Sequence, residues 1–195
     1  SGQPSFDLLG RDQAHWSFFF NSDASLVEGN RIEDRGMVSP RFRTIAAVEK
    51  YSDFDQYLMG LRADDEVQPS FLVENSTSFR TPSSGPVVGV TFDGERKEIT
   101  VDMIVDAEGR RIPPSSVAQK KFSFAFILLV EAGTAPSGQD LDHLNAIRTQ
   151  WEQFFNGGVA QRAEARTMLV KMLQLSTWPA AGVLRGTPGL GSVEI

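Results

Sequence analysis

The placement of phenylalanine constrains this chain more than any other feature. There are fourteen Phe against two Tyr and three Trp, and eight of the Phe fall in three clusters: Phe18-Phe19-Phe20, Phe122-Phe124-Phe126 and Phe154-Phe155. Burying each ring removes a large apolar area from water, so any fold must bring core to these three places. With 195 residues, 41% of them hydrophobic, the chain has enough apolar material for one ordinary core or two small ones. One globular unit of about 100–200 residues is the expectation at this length.

Charge and composition exclude several classes. The formal net charge is -6 and the pI near 5.0, and no basic stripe interrupts the acidic balance, so neither nucleic acid nor an anionic membrane is expected as a partner. The longest apolar run, Phe122 to Val130, is broken by Ser123 and falls short of the roughly 20 residues a membrane span needs. Without cysteine there are no disulfides and no thiolate metal sites. Ser1-Gly2-Gln3-Pro4 lacks the basic and apolar regions of a signal peptide, and the start reads as a boundary within a longer protein. GxSxG, GxxxxGK and GxGxxG are all absent, which leaves serine hydrolases and nucleotide enzymes without support.

Turn-forming stretches divide the chain near Asn75 and Ser116. Leu26-Val27 and Phe42-Ile45 flank a polar stretch from Glu28 to Pro40 that reads as a loop or loose hairpin. Ser52, Asp55 three residues later and Gly60 describe a short capped helix ending at Met59. Val87 to Phe92 is a strand candidate with a turn at Asp93-Gly94, and Thr100 begins a helix through Ala107 that Gly109 closes. Lys121 to Val130 reads as a strand, buried on both faces toward its end. Ser137 and Asp140 start a helix reaching Phe155 with Leu141, Leu144, Ile147, Trp151 and Phe154 on one side, stopped by Gly157-Gly158. Residues 159–175 suit either helix or strand, and 177–195 is a Pro/Gly-rich tail expected to be irregular. The fold class is α+β, a small mixed sheet with several helices, in a single domain or partial domain over 1–176.

Two stretches carry more than fold. Ala14-His15-Trp16-Ser17-Phe18-Phe19-Phe20 runs on to Glu28-Gly29-Asn30, and Tyr51-Ser52-Asp53-Phe54-Asp55-Gln56-Tyr57-Leu58-Met59-Gly60-Leu61 follows. Together they resemble the segment downstream of an HExxH helix in metzincin-like zinc metallopeptidase domains of large secreted bacterial proteins. Phe122 to Trp151 resembles that group too, so the likeness covers about three quarters of the chain. It implies a secreted zinc hydrolase acting on a polypeptide. An upstream helix would supply two His ligands and the Glu that serves as general base. His15 would then be the third ligand and Met59 the methionine beneath the metal. Tyr51 or Tyr57 would stabilise the oxyanion, and Glu28 would orient the imidazole. Asp23 is a weaker candidate for the same task.

The chain departs from that pattern decisively. It has two histidines, His15 and His143, and neither begins an HExxH; His143, beside Asp142 on the polar side of its helix, reads as a solvated surface residue. One protein ligand does not make a tight zinc site. Zinc is therefore expected only if an upstream segment of a parent protein supplies the missing helix, and the isolated chain is not expected to be a peptidase. The alternative is a non-catalytic binding or structural module of an extracellular protein, with His15, Tyr51, Tyr57 and Met59 serving only packing and hydrogen bonding.

Overall fold

A computed structural model describes residues 5–167, together with the backbone of 185–186 and 193–194. The class is α+β, as expected. Among the described residues three α-helices accompany small sheets, and each of the three phenylalanine clusters contributes to a core.

Strands β1 (Asn30–Asp34) and β2 (Phe42–Ala47) form an antiparallel hairpin with a bulge between Arg31 and Ile32. Of the loop or loose hairpin expected here, the hairpin forms, with β1 inside the polar stretch, while Leu26-Val27 is not strand. The cause lies in alternation: Asn30 and Ile32, like Phe42, Thr44 and Ala46, are buried at every second position, the period of a half-buried strand. At the loop end of the hairpin Asp34 takes two hydrogen bonds from the Arg41 guanidinium, at 2.7 and 2.8 Å. Arg41 holds its carboxyl down at about 2.

Helix α1 (Asp53–Leu58) has the full capping box between Ser52 and Asp55. Its C-terminal carbonyls are covered by Arg111, whose Nε donates to Leu58 O at 2.8 Å and whose Nη2 donates to Met59 O at 3.2 Å. Strand β3 (Ser70–Glu74) follows. Only Thr91–Phe92 (β4) of the expected 87–92 strand forms a ladder, pairing with β2, and β5 (Glu95–Ile99) pairs with β3. The Asp93-Gly94 turn therefore passes the chain from one sheet to another and does not close a hairpin. Helix α2 (Val101–Glu108) starts after Thr100, which makes no side-chain cap bond, and ends at Gly109 with φ of 85°, the left-handed region open to glycine.

The larger core gathers Trp16, Phe18, Phe19, Phe20, Phe42, Phe54, Phe71 and Phe92. The rings meet mostly tilted or edge to face, as between Phe20 and Phe54 at 5.6 Å and 84°, the arrangement favoured by aromatic quadrupoles. A second core lies under α3 (Gly138–Gly158), which carries its expected Ser137/Asp140 capping box. Phe155, Val159, Ala163 and Ala165 are buried there with Leu61, and Phe122, Phe124, Trp151, Tyr51 and Met59 pack against them.

The expectation of a strand from Lys121 to Val130 is corrected. Only β6 (Lys121–Ser123) pairs, in parallel with β7 (Glu164–Arg166). Phe122, Phe124, Phe126 and Leu128 are half-buried while Ile127 and Leu129 are 72% and 87% exposed, so the run is covered on one face, not two. The expected apolar side of α3 is also covered unevenly: Leu141 and Ile147 are exposed, and packing begins at Trp151. Of the stretch left open between helix and strand, Glu164–Arg166 is strand, and 168–175 lies outside the described residues. The tail from 177 lies outside them too, apart from β8 (Arg185–Gly186) and β9 (Val193–Glu194), whose antiparallel pairing corrects the expectation of a wholly irregular segment. Among the described residues no helix is long and apolar enough to cross a membrane.

Candidate functional site

The motif residues, far apart in sequence, are joined by buried hydrogen bonds. The Trp16 indole donates to Asp55 Oδ1 at 2.8 Å, while Asp55 Oδ2 takes the Ser52 N–H at 2.7 Å. The carboxylate that caps α1 therefore also anchors the loop carrying His15. Asn30, wholly buried, donates to Phe18 O at 3.1 Å and accepts from Val87 N at 3.1 Å. A Cβ at Gly29 would collide with the side chains of Ser22 and Ser25, which accounts for glycine between Glu28 and Asn30.

The His15 loop is closed at its base. Gly10 N donates to His15 O at 2.7 Å, and Leu9 bridges Trp16. Between them Asp12 and Gln13 both have positive φ, 56° and 53°. That conformation is uncommon for non-glycine residues and persists only where surrounding structure imposes it. His15 Nδ1 lies 2.8 Å from Arg11 O. A carbonyl only accepts, so Nδ1 is the donor, and in the tautomer this selects the lone pair lies on Nε2. Nε2 faces Glu28 Oε1 at 3.9 Å.

Beside this loop runs an apolar groove of about 820 Å³. Leu8, Leu9, Trp16, Leu58, Met59 and Tyr51 line it, together with Met103, Ile104 and Ala107 of α2. His15 and Asp55 are on its lining, which Ser5, Asp7, Gln13, Lys97 and Glu108 also reach. Burial, helped by the charge on Asp55, pushes the Tyr51 phenol up. It therefore keeps its proton and stays a donor throughout the neutral range.

The groove brings His15, Tyr51 and Met59 together. Tyr57 is not on its lining; it sits in the larger core, 6% exposed, and its hydroxyl accepts from Arg111 N at 3.5 Å. Glu28 lies on the Nε2 side of the imidazole and does not hold Nδ1, so the ring is oriented by the Arg11 carbonyl. Asp23 is engaged elsewhere, with Arg31 at 2.5 Å and Lys50 at 2.8 Å. His143 is exposed. Arg11 was not singled out by the sequence, because a carbonyl that orients a ring four residues away leaves no mark on residue type.

As a metal site the described residues are incomplete. His15 fits a metal ligand, with its tautomer fixed and Nε2 available, yet among the described residues no group of three or more His, Asp or Glu is placed to hold an ion. No family model, curated protein or solved structure matches the chain.

Proposed function

We propose that this chain is the later part of a secreted, zinc-dependent peptidase-like domain, to which an upstream segment of a parent protein brings the HExxH helix. The carrying observation is that His15, Tyr51 and Met59, three of the five residues marked in the sequence, line one apolar groove, while Tyr57 and Glu28 do not. Zinc held there would activate water for peptide-bond hydrolysis. His15 would bind it through Nε2, with the Arg11 carbonyl keeping the ring in register. Tyr51, protonated, would donate to the oxygen of the peptide carbonyl as charge develops on it. Met59, at the C-cap of α1, would form the floor, its backbone held by Arg111.

The same groove supports an upstream helix as its occupant. Apolar side chains supply most of its surface, which suits the apolar face of a helix. Ser5 and Asp7 through Leu9 lie on the lining, so chain preceding Ser5 would enter at the rim. The competing reading, a non-catalytic module of an extracellular protein, draws on the lack of a three-ligand group among the described residues.

Metal analysis of the parent protein decides between them. Purified with its upstream segment, it should carry about one zinc per chain, and His15→Ala should lose most of the metal and at least about a hundredfold in hydrolysis of an unstructured polypeptide, since a direct ligand matters no less than its outer partners. Unchanged zinc content and unchanged hydrolysis in His15→Ala would sink the assignment.

A further inference from the structure

A second pocket, of about 530 Å³, shares only Asp7 with the lining of the groove. Residues 72–76 at the end of β3 border it, with Ser17, Phe19, Arg80 and Pro82. Arg80 is the exception among the arginines. Every other part-buried arginine among the described residues donates to a carboxylate or a carbonyl, as Arg31 does to Asp23 and Arg62 to Asp53. Arg80 has no ion pair or side-chain hydrogen bond with any described residue, and its Nε is buried without an acceptor. Its guanidinium carbon lies 4.9 Å from the centre of the Phe79 ring, a contact that covers one face of the cation and neutralises none of its charge. The cation has given up part of its hydration and met no counter-charge in the chain. Its backbone is nevertheless held firmly. Arg80 N donates to Ser78 Oγ at 3.1 Å, and Ser78 N to Ser76 Oγ at 3.2 Å. Thr77 and Asp93 exchange two hydrogen bonds of 2.9 Å, and Pro82 O takes the Phe18 N–H at 2.9 Å.

We propose that this pocket binds a small carboxylate, with Arg80 as its anchoring cation. A planar guanidinium pairs with a carboxylate through two parallel N–H bonds, and no described residue engages the Nη groups that would make them. Further donors stand beside it. Ser17 Oγ and Ser76 Oγ each accept a backbone N–H, at 3.4 and 3.2 Å, which leaves both hydroxyl protons to be donated. Charge favours a carboxylate over a phosphate. Asp7 and Glu74 also line the pocket, and Lys97 Nζ binds both, at 3.1 and 2.8 Å. With Arg80 and Lys97 against Asp7 and Glu74, two positive charges offset two negative ones. A single added negative charge is tolerated there, whereas a phosphate group brings about −1.5 to −2 toward the same two carboxylates. Two sources supply such a ligand: the end of a peptide chain and a free organic acid. Neither Arg80 nor this pocket enters the zinc reading.

Amide chemical shifts of the 195-residue chain, followed while N-acetylalanine, N-acetylalaninamide, acetate or inorganic phosphate is added, test the assignment. Low ionic strength is required, because salt screens an exposed ion pair. N-acetylalanine should bind at about 1–10 mM, the scale open to so small a ligand, and should move the amides of residues 72–76 and of Arg80. The uncharged amide should bind at least about tenfold more weakly, the worth of a hydrogen bond to a charged group, and Arg80→Gln should weaken the acid by the same factor. Lys97→Gln, which leaves Asp7 and Glu74 uncompensated, should weaken the acid several-fold and leave the amide unchanged. Tighter binding of N-acetylalanine than of acetate assigns the site to a chain end, and equal binding assigns it to a free acid; either supports the carboxylate site. No saturation up to about 100 mM, equal binding of acid and amide, or an Arg80→Gln variant that binds like the parent chain would each overturn the proposal. Phosphate binding more tightly than N-acetylalanine would overturn the choice of carboxylate. Should Arg80→Gln unfold, the comparison of acid with amide decides alone.

Discussion

Asp55 serves two elements with one carboxylate. Its Oδ2 closes the capping box with Ser52, and its Oδ1 holds the Trp16 indole in a site only 3% exposed. Trp16→Phe would keep most of the ring's packing but leave Oδ1 without a donor, so stability should fall by about 1–3 kcal/mol, the cost of an unsatisfied buried acceptor. Urea denaturation at neutral pH measures it, and a loss below about 0.5 kcal/mol, the range of ordinary surface changes, would mean that the bond contributes nothing. The cap was legible in sequence because its partners stand three residues apart. The bond to Trp16 spans 39 residues and left no local signal.

At the scale of elements, helices were the more legible part. Both capping boxes, Ser52/Asp55 and Ser137/Asp140, formed as expected, because a cap is satisfied within one turn of its own chain. Strands depend on a partner. Apolar residues from Phe122 to Val130 read as a buried strand, yet the ladder to β7 holds only Lys121–Ser123, with Phe124 N reaching Arg166 O at 3.0 Å just beyond it. Substitutions should report this asymmetry. Phe155→Ala, at the centre of the second core, should cost about 3–5 kcal/mol, whereas Leu129→Ser should stay within about 0.5 kcal/mol. Comparable losses in thermal or chemical unfolding would restore the two-faced burial that the sequence suggested.

For the whole molecule, the telling feature is an apolar groove of about 820 Å³ left open beside the most heavily tied loop. A groove lined mainly by apolar side chains presents apolar surface to solvent. The isolated chain should therefore enhance the fluorescence of an apolar dye such as anilinonaphthalene sulfonate. If the proposed upstream segment covers the same walls, a parent protein carrying it should enhance the fluorescence less per molecule. Equal enhancement by the two would argue that the groove receives something other than the preceding chain.

What the sequence determined by itself was local or periodic: the α+β class, the helix caps, the aromatic clusters that had to be core, and the absence of a zinc-binding HExxH from the chain. It also marked His15, Tyr51 and Met59. Only the tertiary structure decided that these three share a groove, that Tyr57 belongs to the core, and that Glu28 faces the imidazole nitrogen opposite the one Arg11 holds. The physical reason is the range of the forces involved. Caps and turns are satisfied within a few residues, so residue type and spacing reveal them. A groove, a ladder or the facing of two side chains exists only after distant segments have been packed against a common core.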